Sequence, residues 1–157
     1  MSDQIEVEVF RAALVEVLDE TFDRVEQSLF LDPGTSFFET LATVSAAEAS
    51  RPVSARCASI AGQVNHVVSF IDWLNRSITG EPVEPLDWAA TWRRVDVSED
   101  EWRELVAELR RVSGELRAFA AGNARWEPPF VTGAFGIVAH CAYHLGEVRQ
   151  ALCTIKG

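Results

Sequence analysis

The sequence predicts an all-helical protein, built as a four-helix bundle, on three observations. Apolar residues recur at intervals of three and four along four long segments, which is the spacing of one helix face. Serine and acidic residues with the spacing of helix caps precede several of these segments, and glycine and proline gather between them. The chain has 157 residues and is 48% hydrophobic, so we expect a single domain, residues 1–157, with a continuous core.

The first predicted helix runs from about Asp3 to Leu29. Asp3 and Glu6 have the spacing of a capping box at its start, and Asp32-Pro33-Gly34 ends it. A shorter helical piece is predicted over Phe37 to Val44. The apolar face of the first helix comprises Val7, Phe10, Leu14, Val17, Leu18 and Val25.

Three more long helices are predicted further along the chain. The second spans about Ser54 to Thr79, with Gly80 as its C-cap. The third opens with the capping box Ser98-x-x-Glu101 and ends near Gly122. The fourth spans about Gly133 to Ile155, and it is apolar around nearly its whole circumference, which predicts a buried helix.

A long irregular connection, Gly80 to Val97, separates the second and third helices. A connection of this length can return along the bundle, so these two helices can run parallel. The second and fourth helices are then antiparallel.

Composition excludes several classes of partner. The formal net charge is −10 and the isoelectric point is about 4.7, so a nucleic acid backbone or an anionic membrane surface would be repelled. The stretch from Ala134 to Ile155 carries too many polar residues to span lipid. The three cysteines are an odd, widely spaced set and nothing at the start resembles a signal peptide, which favours a reducing cytoplasm with the cysteines as small buried hydrophobes.

The three histidines of the chain are candidate metal ligands. His140 and His144 stand four residues apart on the fourth helix, so they share one face and can reach one ion. His66 lies in the middle of the second helix among apolar residues. In an antiparallel pair of helices, the depths of His66 and of the other two histidines are compatible. Ordinary hydrogen-bonded histidines, unrelated to one another, are the alternative interpretation.

Two stretches carry a resemblance to a known family. The sequence His140-Cys-Ala-Tyr-His144-Leu-Gly-Glu-Val-Arg149-Gln, together with Ile60-Ala-Gly-Gln-Val-Asn-His66, resembles the DinB-like (DinB/YfiT) family of metalloenzymes. The resemblance implies an up-down-down-up four-helix bundle that holds one divalent metal ion on His66, His140 and His144. It also implies a homodimer, and activities that include S-transfer from low-molecular-weight thiols. Zinc, nickel and iron all bind imidazole, so the identity of the metal is left undetermined.

Other polar and aromatic residues near these motifs have two interpretations each. Glu147, three residues after His144, is a weak candidate for a catalytic base or a partner of a ligand, and a solvated charge otherwise. Trp88 and Trp92 either wall a substrate pocket or pin the connection to the bundle. Arg149 pairs either with a carboxylate of a substrate or with one of a neighbouring helix, and the structural ion pair is the favoured interpretation.

The predicted function is correspondingly open between two classes. One is a metal-dependent enzyme, either a transferase that joins a small-molecule thiol to an electrophilic substrate or a hydrolase. The other is a non-catalytic module with a structural ion or a protein partner. Since no cysteine of this chain is well placed as a nucleophile, the transferase would require an external thiol.

Overall fold

The computed structural model describes residues 5–123 and 125–157 and is all-helical over those ranges. Four of its helices are long, and three are single short turns. The long helices are α1 (Val7–Phe22), α4 (Ile60–Ile78), α6 (Glu99–Gly122) and α7 (Pro128–Lys156). The short ones are α2 (Phe37–Leu41), α3 (Ala46–Ala49) and α5 (Trp88–Thr91).

The long helices pack around one core. Helix α4 lies against both α6 and α7, and α1 lies against the same two helices. Fully buried side chains from all parts of the chain fill the space between them, among them Phe37, Ile60, Ile71, Leu105, Leu109 and Leu145. The core therefore fixes α4 and α7, the two helices that carry the histidines, side by side.

Helix α1 ends at Phe22, seven residues before the predicted end at Leu29. The carboxylate of Glu20 is buried and accepts the backbone N–H groups of Leu29, Phe30 and Leu31, each at 2.7 Å. Those N–H groups are then withdrawn from any continuing helix, and the chain turns back instead. The helix starts at Val7, and the predicted cap at Asp3 lies outside the described residues.

The starts of two other helices also differ from the prediction. Helix α4 begins at Ile60, because the Ser59 side chain accepts the Gly62 N–H at 3.1 Å and caps it there. Helix α7 begins at Pro128, with proline at its first two positions. The backbone N–H groups of a first turn have no partner within the helix, so proline, which lacks an N–H group, costs no hydrogen bond there. By contrast, the capping box of Ser98 and the end of α6 at Gly122 are confirmed.

Helix α7 is not buried all round, so that prediction was wrong. Only one face enters the core, and the exposed fractions of Phe135 and Tyr143 are 68% and 62%. Within the described residues, no helix combines the length and apolar character needed to cross a lipid bilayer.

Candidate metal centre

The three histidines converge between α4 and α7. One ring nitrogen from each of His66, His140 and His144 lies within 4.8 Å of the others. The ring centroids are 4.5 Å apart for His140 and His144, and 4.7 and 5.1 Å from His66 to these two. The spacing of four on α7 puts two rings on one face, and the packing of α4 against α7 brings the third to meet them.

His66 is held by the short helix α5 in the long connection. Its Nδ1 lies 2.7 Å from the hydroxyl oxygen of Thr91, and that hydroxyl donates to the Trp88 carbonyl, also at 2.7 Å. A hydroxyl has one proton, so Thr91 can only accept from the imidazole. The Nδ1 of His66 is therefore the protonated nitrogen, and Nε2 carries a free lone pair when the ring is neutral.

His144 is held by a side chain of α4. Its Nδ1 lies 2.6 Å from Oε1 of Gln63, which is an acceptor only, so His144 also has its proton on Nδ1. The amide nitrogen of Gln63 in turn donates to the Glu147 carboxylate at 3.4 Å. Glu147 is thus joined to the histidines only through Gln63, and its side chain is exposed.

His140 differs from the other two histidines. Its Nε2 is buried and has no hydrogen-bond partner among the described residues. The ring packs against Phe70, at 4.5 Å between centroids. A buried polar atom without a partner is costly, and a metal ion is one way to satisfy it.

Burial keeps the three rings neutral. It lowers the pKa of His66 to about 4, with a smaller effect from the charge that His140 would carry. It lowers the pKa of His144 to about 3, with smaller effects from His140 and His66, and it also lowers the pKa of His140. Neutral imidazole is the form that can bind a metal ion.

Aromatic side chains surround the histidines. Trp92 stacks on His66, with ring centroids 4.0 Å apart and an interplanar angle of 15°, and it lies 5.7 Å from His144. Trp88 lies 5.8 Å from His66 and is 52% exposed. Both tryptophans of the connection therefore lie beside the histidine cluster, where Trp92 packs against His66 and Trp88 remains at the edge.

A groove of about 650 Å³ adjoins the cluster. Gln63 and Trp92, which contact His144 and His66, form part of its wall together with Glu147 and Tyr143. The charge of the Glu147 carboxylate, and a hydrogen bond to it, raise the pKa of Tyr143. Cys57 also lines this groove, although the sequence offered no reason to place a cysteine near the histidines.

The remaining candidates have mixed outcomes. Cys141 is fully buried and packs in the core, where burial raises the pKa of its thiol. Cys57 and Cys153 are exposed, so the prediction of three buried cysteines was wrong for these two. Over the described ranges, Arg149 does not form the expected ion pair.

Sequence analysis did not predict the two residues that hydrogen-bond to the histidines, Gln63 and Thr91. Gln63 precedes His66 by three residues, which places it on the same helix face, and this signal could have been used. Thr91 follows Asp87, whose side chain accepts the Ala90 N–H at 3.0 Å, and an aspartate before Trp-Ala-Ala-Thr is a helix-start signal. Neither signal identifies the histidine that each residue contacts.

Comparisons of this chain with models of protein families, with curated proteins and with solved structures found no match.

Proposed function

We propose that the chain binds one divalent metal ion through Nε2 of His66, His140 and His144. The convergence of the three rings carries this proposal. A separation of 4.8 Å or less places the ligand atoms within about 2.8 Å of a common point, against roughly 2.1 Å for a metal–imidazole bond. Small ring rotations close the difference. The protonation of His66 and His144 on Nδ1 leaves the correct nitrogen free on both.

The donor set narrows the choice of ion. Among the described residues, the cluster contains imidazoles only, without a carboxylate or thiolate. Imidazole suits zinc, nickel and ferrous iron, whereas calcium and magnesium prefer oxygen. We therefore propose zinc, nickel or iron as the resident ion.

The proposed activity is transfer of a low-molecular-weight thiol to an electrophilic small molecule. Three neutral protein ligands leave coordination positions open, as in catalytic sites, and the adjoining groove gives room for substrates. A bound ion would lower the pKa of a coordinated thiol and so favour the nucleophilic thiolate. Gln63 lies between the Glu147 carboxylate and His144, so Glu147 is joined to the cluster only indirectly, which disfavours it as the base acting on a metal-bound water that hydrolysis would need.

The proposal extends to the order and direction of the long helices, the family and the cellular compartment. We propose an up-down-down-up four-helix bundle of the DinB-like family, supported by the long connection between α4 and α6 and by the histidine motifs. The three free cysteines fit a reducing compartment, and we propose the cytoplasm.

We also propose that the chain forms a homodimer. Helices α1 and α7 leave an apolar groove between them, lined by Phe10, Leu14, Phe135 and Val138 among others. Light scattering of the parent should give twice the 17.4 kDa chain mass, and Phe135→Glu should shift it toward the monomer. A monomeric parent at micromolar concentration would overturn the dimer.

Metal binding is tested with protein purified without a histidine tag. After reconstitution with zinc, nickel or ferrous ion, elemental analysis should give about one ion per chain, and His140→Ala should lose most of it. The double variant Cys57→Ala/Cys153→Ala is the matched control, because both thiols are exposed and lie outside the cluster, so it should bind like the parent. Equal binding by His140→Ala and the parent would refute the site.

Catalysis is tested with the same preparations. Conjugation of small thiols to a haloaromatic or an epoxide should require the metal and fail in His140→Ala. It should persist in Cys57→Ser, because the nucleophile is an external thiol and not the cysteine in the groove. Equal rates with and without metal would remove this activity, and ester hydrolysis in the same samples would then test the hydrolase alternative.

A further inference from the structure

The hydrogen bond between Gln63 and Glu147 determines whether Gln63 accepts from His144 or donates to it. A side-chain amide has an acceptor end and a donor end, and either end can face a neutral histidine, whose nitrogens can donate or accept. Gln63 is buried between α4 and α7, with 7% of its surface exposed, and one of its ends faces His144 while the other faces Glu147. The group beyond Gln63 therefore selects the orientation of the amide.

We propose that Glu147 is a positioning residue that fixes the tautomer of His144 through the amide of Gln63. An ionised carboxylate can only accept, so the amide NH₂ must face Glu147 and Oε1 must face the ring. The ring then donates from Nδ1, at 2.6 Å from Oε1, and keeps the Nε2 lone pair free. This role rests on the proposed metal site, which would then depend on a residue that touches neither the ion nor its ligands.

The reversed amide shows why this orientation matters. With Oε1 toward Glu147, a carbonyl oxygen would face a carboxylate, and the NH₂ group would point at Nδ1 of His144. The ring would then accept at Nδ1 and carry its proton on Nε2, which removes the lone pair that a metal ion needs. Outer partners of metal-bound histidines commonly affect metal affinity by about 10- to 100-fold for this reason.

Glu147 can be changed without disturbing the core, because its side chain is exposed at the edge of the groove. Tyr143 is a second donor at this edge of the groove, and the Glu147 carboxylate raises its pKa. Both neighbours are donors, so an acceptor at position 147 satisfies them and a cation there opposes them. Charge reversal at this position is therefore the decisive change.

The test compares the parent with Glu147→Gln, Glu147→Lys and the double variant Gln63→Glu/Glu147→Lys. In Glu147→Lys the introduced ammonium should draw Oε1 of Gln63 toward itself and move the His144 proton to Nε2. In the double variant the introduced carboxylate can accept from both the ammonium and His144, which should restore the Nδ1 proton. In Glu147→Gln an amide oxygen still accepts from Gln63, and the parent tautomer should remain.

Two measurements read these variants. Long-range ¹H–¹⁵N spectra of metal-free protein with labelled histidine report which nitrogen of His144 is protonated. Competition titrations with zinc or cobalt should show about a 10- to 100-fold loss of affinity in Glu147→Lys and recovery to within a few-fold in the double variant. Glu104→Lys, the same charge change at an exposed position of α6, should leave both measurements unchanged.

The outcomes separate this inference from the metal site. An unchanged Nδ1 proton in Glu147→Lys, or a double variant that stays on Nε2, would overturn the positioning role. A parent that binds neither zinc nor cobalt would overturn the proposed function, while the spectra of the metal-free protein would still decide the tautomer.

Discussion

His66 and His144 each hold a proton on Nδ1 that is donated to an acceptor, called a support below: Thr91 for His66 and Gln63 for His144. The two supports are kept in the accepting state by different means. Thr91 accepts from His66 because its own proton is committed to a backbone carbonyl, and the arrangement is buried and neutral. Gln63 accepts from His144 because a carboxylate at the edge of the groove holds the far end of the amide. One support is therefore complete within the fold, and the other depends on an exposed charge.

The difference indicates where the site tolerates change. A backbone carbonyl cannot be mutated or protonated in the working pH range, so the Thr91 support is lost only when the threonine or the short helix α5 is lost. The Gln63 support can be altered from solvent through Glu147. We therefore expect variation in metal affinity to originate mainly from the α7 side of the site.

The largest effect should come from removing both supports at once. The double variant Thr91→Val/Gln63→Leu keeps all three ligands but leaves two Nδ1–H groups without acceptors. Each loss should weaken zinc binding by about 10- to 100-fold, and the two should multiply if the supports are independent. Competition titrations of both single variants and the double variant give the coupling. A double variant no weaker than either single one would mean that the supports act as one unit.

Thr91→Val alone tests the self-contained support. Loss of the hydroxyl leaves both the His66 Nδ1–H and the Trp88 carbonyl unpaired, so the free energy of unfolding of metal-free protein should fall by about 1–3 kcal/mol. Thr91→Ser keeps the hydroxyl and is the matched control, with stability close to the parent in urea unfolding. Equal stability of the valine and serine variants would contradict the role of this hydroxyl.

Acidification should protonate His66 and His144 only well below the usual range of a histidine. Burial lowers the pKa of His66 to about 4 and that of His144 to about 3, so both rings should stay neutral at pH 5.5 in an NMR titration of metal-free protein. Both values lie below the roughly 6.5 of an unfolded histidine, so the unfolded chain binds more protons below that pH. The free energy of unfolding should therefore fall as pH drops below about 6.5, by at most about 1.4 kcal/mol per pH unit for each histidine.

The control for this titration is His66→Gln/His144→Gln, which should lose stability less steeply between pH 6.5 and 5. Parallel slopes for parent and variant would show that these rings are not the source of the acid sensitivity.

The smallest effect is expected from Trp88→Ala. This side chain is 52% exposed and stands 5.8 Å from His66, whereas Trp92 stacks directly on that ring. Metal affinity should change less than about threefold in Trp88→Ala and clearly more in Trp92→Ala, since only the second removes a packed wall. The reverse order in a competition titration would place the main aromatic support at the edge of the site.

Local signals in the sequence predicted much of the fold and part of the histidine cluster. The capping box of Ser98 and the spacing of His140 and His144 depend on neighbours within four residues, and the structure agrees with both. The end of α1 depends instead on Glu20 capturing backbone groups nine to eleven residues away. No local pattern contains that contact.

The contacts of Thr91 and Gln63 with the histidines could not be predicted from the sequence for the same reason. Thr91 contacts a histidine 25 residues earlier in the chain, and Gln63 contacts one 81 residues later. Their sequence surroundings indicate helix positions but not partners. Only the packing of α4 against α7, and of the connection onto α4, brings these groups together.

The second half of the connection between α4 and α6, from Trp88 to Val97, is held to α4 and to its cap residue Ser59 by three hydrogen bonds. The Ser59 hydroxyl donates to Val95 O at 2.8 Å, the Asn65 amide donates to Thr91 O at 2.7 Å, and His66 donates to the Thr91 hydroxyl. The donor of one of these three hydrogen bonds, His66, is therefore also a proposed metal ligand. An ion that binds more tightly when His66 is hydrogen-bonded to Thr91 must, by thermodynamic linkage, stabilise the docked connection. The free energy of that stabilisation equals the gain in binding free energy that the docked connection gives to the ion. The backbone amides of residues 88–95 would then report occupancy of the site through slower hydrogen exchange, although none of these residues is a proposed ligand.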